Sequence, residues 1–147
     1  MMNLKSRASI TGVFAAVLTL MSVAAPAHAA DLTILDIGNG TLVRKGIAVE
    51  VPVTFVCPAD SIETGLNLEV REDFGNGDFA AAGQGVGGFT CTGESQTITV
   101  TAPATSKGGA VPLKIGKATA TVLMQVCSPT FDCPTVEITT EIKIKNK

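Results

Sequence analysis

Residues 46–57 read "GIAVEVPVTFVC". Ile47, Val49, Val51, Val53, Phe55 and Cys57 share one face, and Ala48, Glu50, Pro52 and Thr54 share the other. Twelve residues of period two are incompatible with an amphipathic helix and describe a half-buried β-strand. Pro52 has no N–H for a ladder, which places this strand at a sheet edge or beside a bulge. The same alternation returns along the chain. "LTILDI" is a short first strand, and "GLNLEV" turns Leu66, Leu68 and Val70 inward. "GGFTCTG" places Phe89 and Cys91 on one face, and "QTITVTA" turns Ile98 and Val100 inward. "KATATVLMQVC" lines up Ala118, Ala120, Val122, Met124 and Val126. "TVEITTEIKIK" turns Val136, Ile138, Ile142 and Ile144 inward, with Glu137, Glu141 and Lys143 outward and a tail expected to fray. Turn-forming clusters at 38–41, 57–60, 75–78 and 106–112 separate these runs. Seven or eight short strands without helical periodicity predict an all-β fold, an antiparallel immunoglobulin-like β-sandwich. The chain has no Trp, so it lacks the tryptophan that packs on the disulfide of antibody domains.

The first 29 residues are expected to be a secretory signal peptide. Lys5 and Arg7 give a positive start, residues 8–25 are apolar or small, and Pro26 precedes "AHA" at 27–29, a small-residue cleavage pattern. An uncleaved membrane anchor is the alternative, disfavoured by that pattern. Cleavage leaves 147 − 29 = 118 residues, one domain over 30–147, with no membrane insertion expected afterwards. The exported charge is 9 basic minus 13 acidic residues, or −4, because Lys5 and Arg7 are lost. Beyond the alternating "KIKNK" tail no basic run remains, so nucleic acid is not an expected partner. The sole histidine, His28, leaves with the signal peptide.

Four cysteines in a small secreted chain suggest two disulfides, for which three pairings exist. Cys57 continues the inward set of Val53 and Phe55, and Cys91 that of Phe89. Cys127 is out of phase with the inward set ending at Val126, and Cys133 begins the next strand. Side-chain direction therefore pairs Cys57 with Cys91 and Cys127 with Cys133. The rival joins Cys57 to Cys127, as in antibody-type domains, and strand bulges would favour it by resetting the parity. On the chain-entropy account the expected crosslinks contribute roughly 3.8 and roughly 2.4 kcal/mol. "CSPTFDC" has five residues between its cysteines and no histidine nearby, which fits neither a zinc site nor a redox C-x-x-C. It reads as a stapled loop with Phe131 near its tip, a candidate partner contact.

Other patterns suggest chemistry more weakly. "GQGVGG" matches G-x-G-x-x-G through Gly83, Gly85 and Gly88, but a strand follows where a dinucleotide site needs a helix. It is expected to form a mobile loop or an irregular sheet edge. "DFGNGD" offers Asp73, Asn76 and Asp78 to calcium, without EF-hand spacing. "NGT" at 39–41 has the pattern of a glycosylation acceptor and equally of a tight turn. With no histidine and all cysteines paired, Ser–His and Cys–His catalysis is excluded. Glu69, Glu72, Asp73 and Asp78 remain as carboxylates and are expected to be solvated on outward faces. No metal, cofactor or enzymatic activity is expected.

The stretches "VEVPVTFVCPAD", "CTGESQTITVTAP" and "PLKIGKATATVLMQVC" resemble a group of small secreted immunoglobulin-like proteins of actinobacteria. In that group the first cysteine likewise ends a long alternating strand, and a late cysteine pair follows. The resemblance covers nearly the whole exported chain and implies a bacterial protein of that fold, without an established activity to carry over. A more distant likeness is to chromophore-binding apoproteins of the neocarzinostatin type, similar in size and disulfide number. Their cleft is rich in aromatic side chains, whereas this chain keeps only Phe55, Phe74, Phe79, Phe89 and Phe131 after cleavage. The expected function is therefore that of a secreted, extracellular, non-catalytic module that binds a protein or glycan. The alternatives are a small-ligand carrier and an inhibitor presenting the Cys127–Cys133 loop.

Overall fold

The computed structural model describes residues 31–75, 77–105 and 111–147. The expected signal peptide lies outside them. Eight strands follow in order: β1 (Thr33–Ile37), β2 (Gly40–Val43), β3 (Ala48–Val56), β4 (Glu63–Asp73), β5 (Phe79–Gly87), β6 (Gln96–Pro103), β7 (Gly116–Cys127) and β8 (Thr135–Asn146). One hydrogen-bonded path runs β1-β3-β2-β8-β7-β4-β5, with β6 on β3. Among the described strands only β2 and β8 pair in parallel. β1 and β2 are two pieces of one interrupted strand, because both pair antiparallel with β3. β5, at one end of the path, approaches the end of β6 through the bridge between Ala82 and Ala104. An all-β fold with eight strands and two disulfides is thus observed, and this pairing order is compatible with an immunoglobulin-like sandwich.

The inward sets read from the sequence make the core. Val49, Val51, Val53 and Phe55 of β3 meet Leu66, Leu68 and Val70 of β4 in one cluster with Val122, Met124 and Val126 of β7. All ten are buried. At roughly 1.5–3 kcal/mol for each large apolar side chain, this burial is the main favourable term in folding.

Three expectations about elements are corrected. β3 is not an edge strand; it pairs with β1 and β2 on one side and with β6 on the other. Pro52 is tolerated there because its carbonyl accepts from Gly38 N at 2.9 Å. Its missing N–H therefore faces the gap between β1 and β2, where the ladder is broken anyway. "GGFTCTG" is not a strand, since residues 88–95 form the connection from β5 to β6. Gly88 and Gly93 there adopt left-handed φ of 74° and 79°, which breaks a strand. "GQGVG" is no mobile loop, while the other expectation, a sheet edge, is met: it belongs to β5, the last strand of the path, paired with β4 from Gly65↔Gly87 to Asp73↔Phe79. The C-terminal tail also holds register as far as Leu42↔Asn146.

Candidate functional site

Both disulfides brace the same end of the molecule. Cys57 ends β3, Cys91 sits in the β5–β6 connection, Cys127 ends β7 and Cys133 precedes β8. Antiparallel pairing brings these positions together with the β3–β4 turn. Ile62 N donates to Cys127 O at 2.9 Å, and Gly93 N donates to Cys57 O at 3.1 Å. The expected pairings, Cys57 with Cys91 and Cys127 with Cys133, are the ones present, and no described cysteine is free. The longer crosslink lies in the core, with Cys57 and Cys91 both buried and the rings of Phe55 and Phe89 5.3 Å apart nearby. Phe89 and Cys91 keep the inward direction expected of them although their segment is not a strand.

The shorter crosslink closes a small, internally bonded loop. Ser128 N donates to Asp132 O at 2.8 Å, and Phe131 N donates to Ser128 O at 2.9 Å. The hydroxyls of Ser128 and Thr130 lie 2.8 Å apart. Phe131 has a φ of 61°, uncommon for a residue with a side chain. That turn carries its ring outward, leaving Phe131 78% exposed. Ile62 in the adjoining turn is 53% exposed, a contact candidate that sequence reading missed. Its position beside Cys127 depends on pairing between distant strands, and no local pattern announces it.

Charge is sorted along the molecule. The turns after β3, β5 and β7 carry Asp60, Glu94 and Asp132 and no basic residue. Asp31, Glu63 and Glu137 stand at the same end, making six acidic residues. Asp31, Asp60 and Asp132 line one depression there of about 430 Å³. Every basic residue among the described ones lies toward the opposite end. Arg44 and Lys45 form the β2–β3 turn, Arg71 is near the end of β4, and Lys114 and Lys117 lie at the start of β7. Lys143, Lys145 and Lys147 complete the set at the end of β8. Carboxylates at that end pair with three of them, Asp73 with Arg71, Glu141 with Lys117 and Glu50 with Lys147. The grouping is made by strand order, since Lys117 pairs with Lys143 and Thr41 with Lys145.

The remaining candidate residues do not assemble a reaction centre. Glu72 is buried, not solvated as expected, and its Oε2 accepts from Lys114 N at 2.8 Å. Strand alternation puts it on the face opposite Glu69 and Asp73, which rules out a carboxylate pair with either. Asp73 is held by Arg71 at 2.9 Å. Asn76 lies outside the described residues. Among the described residues no three metal-ligating side chains converge. Asn39 Oδ1 accepts from Lys143 N at 2.9 Å, so the "NGT" turn ties the β1–β2 break to β8. Gly83 and Gly85 belong to β5, which is followed by a connection and then β6, not by a helix. Among the described residues no helix is long and apolar enough to cross a membrane. Compared with known proteins, the chain matches no family model, no curated protein and no solved structure.

Proposed function

We propose that this is a secreted, non-catalytic binding module of the bacterial surface or medium, and that its disulfide-braced end docks a protein partner. The observation that carries the reading is Phe131, 78% exposed at the tip of a covalently closed loop. An aromatic ring held in place before binding loses little freedom on docking, and such rings are typical anchors of interfaces. Ile62 supplies further exposed apolar area at the same end, and the carboxylates there favour a partner surface that is cationic around an apolar centre. A glycan partner is less well served, because among the described residues no second aromatic ring is exposed near Phe131 to form a sugar platform.

The inhibitor reading uses the same loop. A protease cleft takes an extended segment, whereas Phe131 stands in a left-handed turn closed by hydrogen bonds to Ser128. That geometry favours docking over cleft insertion. The carrier reading needs a concave apolar cleft. Here the space between the inward faces is filled by Phe55, Leu68, Met124 and Ile144, all fully buried, and the apolar groove at the opposite end lies on the surface, lined by half-exposed Ile47. The test is capture from the native surface or culture fluid by tagged exported protein. Phe131→Ala should abolish capture and leave the denaturation midpoint nearly unchanged. Undiminished capture by the variant would exclude Phe131 as the anchor.

A further inference from the structure

The end opposite the disulfides has its own recess. A groove of about 780 Å³ is lined by Leu42, Val43, Ile47 and Pro103, with Arg44 and Lys147 as its cations and Glu50 as its one acid. Ile47 was expected in the core but is 48% exposed, because the β2–β3 turn rotates it outward before β3 begins. That turn is unusual. Arg44, Lys45 and Gly46 have consecutive φ values of 49°, 58° and 88°. Two side chains held in the left-handed region cost about 1–2 kcal/mol each, and the strain projects two exposed cations beside the groove. The turn is pinned by Leu113 N donating to Gly46 O at 2.9 Å.

The two ends are complementary. One offers an exposed phenylalanine on a rigid loop, next to Asp132 and the depression shared by Asp31 and Asp60. The other offers an apolar groove rimmed by Arg44 and by Lys147, which is paired with Glu50 at 4.0 Å, with Lys45 exposed in the turn beside it. We infer that the partner of the braced end includes a second copy of this chain: Phe131 of one molecule enters the Ile47 groove of the next, while Arg44 and Lys45 face Asp132 and its neighbouring carboxylates. The inference rests on the reading of the braced end as a docking surface and names its occupant. A knob and a groove on different parts of one surface make a head-to-tail contact, which leaves a free knob and a free groove on every assembly. Such contacts grow open chains unless rotation closes a ring. The patches are small, so association is weak and strengthened by local concentration at a surface. Opposite charges also make it salt-sensitive.

The test is sedimentation equilibrium of the exported protein at low and high salt, with two complementary variants. Wild type should show a weight-average mass that rises with concentration, the association weakening about tenfold from 0.05 to 0.5 M salt. Phe131→Asp removes the knob and keeps the groove. Ile47→Asp removes the groove and keeps the knob, and Arg44→Glu serves in its place if Ile47→Asp lowers the melting midpoint. Each variant alone should be a monomer. The two mixed should form a one-to-one dimer and nothing larger, because only one productive contact remains. A wild type that stays monomeric at the highest concentration overturns the inference, as does a mixture that stays monomeric. Either variant dimerising alone would mean a symmetric contact and would overturn it too. A monomeric wild type that still captures another protein through Phe131 would leave the docking reading standing and remove only the self-association.

Discussion

Phe131, Lys45 and Glu72 each sit where general preferences would not put them. Phe131 is a large apolar side chain in water, with backbone that favours glycine or asparagine. Its exposure at the loop tip was legible in the sequence, since two prolines and two cysteines flank it within the eight residues 127–134. Its φ was not, because that follows from closing the ring. Lys45 is a second left-handed residue, and Lys45→Gly should raise stability by about 1 kcal/mol in urea unfolding by relieving the strain. A loss of stability would mean that the lysine makes a compensating contact. Glu72 was misread as solvated because a lone carboxylate in an alternating strand looks like an outward residue. It instead secures the chain entering β7 through Lys114 N. Glu72→Ala should cost about 1–3 kcal/mol by orphaning that donor, and Glu72→Gln, which keeps an acceptor of the same shape, clearly less. Equal losses from both changes would point to the charge and not the acceptor.

At the scale of elements, what the sequence made legible was whatever depends on one strand's own period. The inward sets of β3 from Val49 onward, of β4 and of β7 were read correctly, and the direction of Cys57 and Cys91 selected the right pairing. What failed depends on which strands meet. Pro52 looked like an edge marker, but the break between β1 and β2 lies opposite it. "GGFTCTG" looked like a strand because Phe89 and Cys91 share a direction, yet they are held inward by Phe55 and the crosslink. The two crosslinks should differ in worth. Replacing Cys127 and Cys133 by serine should cost roughly 2–3 kcal/mol, for a loop of sequence separation 6. Replacing Cys57 and Cys91 should cost more, since their separation is 34 and their bridge lies in the packed core. Guanidinium unfolding of the two double variants orders them. The reverse order would show that the shorter crosslink organises the whole braced end.

Across the whole molecule the strand order sorts charge in a way that composition hides. A net charge of −2 for the full chain gives no hint of two opposed ends. The sorting becomes visible only when alternate turns are assigned to alternate ends, with "CPAD", "TGES" and "PTFD" on one side and "VRKG", "LKIGK" and "KIKNK" on the other, where the β4–β5 turn adds Asp73 and Asp78 among the cations. The same topology puts both crosslinks beneath the acidic turns, where they fix the loops that carry Phe131 and Ile62. Export is a separate expectation at this scale. The intact mass of secreted protein should correspond to a chain beginning at Ala30 or Asp31, and full-length chain in the membrane fraction would contradict it.

The claim that the braced end is the working surface is tested most directly by photo-crosslinking from chosen positions. A benzophenone side chain replaces Phe131 in one variant and Phe79 in the other. Phe79 is also an exposed ring, 46% accessible, but it begins β5 at the far end and is covered in part by the Arg71 guanidinium 3.9 Å away. With illumination on the native surface or in culture fluid, position 131 should give a discrete adduct that position 79 does not. Adducts from position 79 with none from position 131 would contradict the account and move the binding surface to the opposite end.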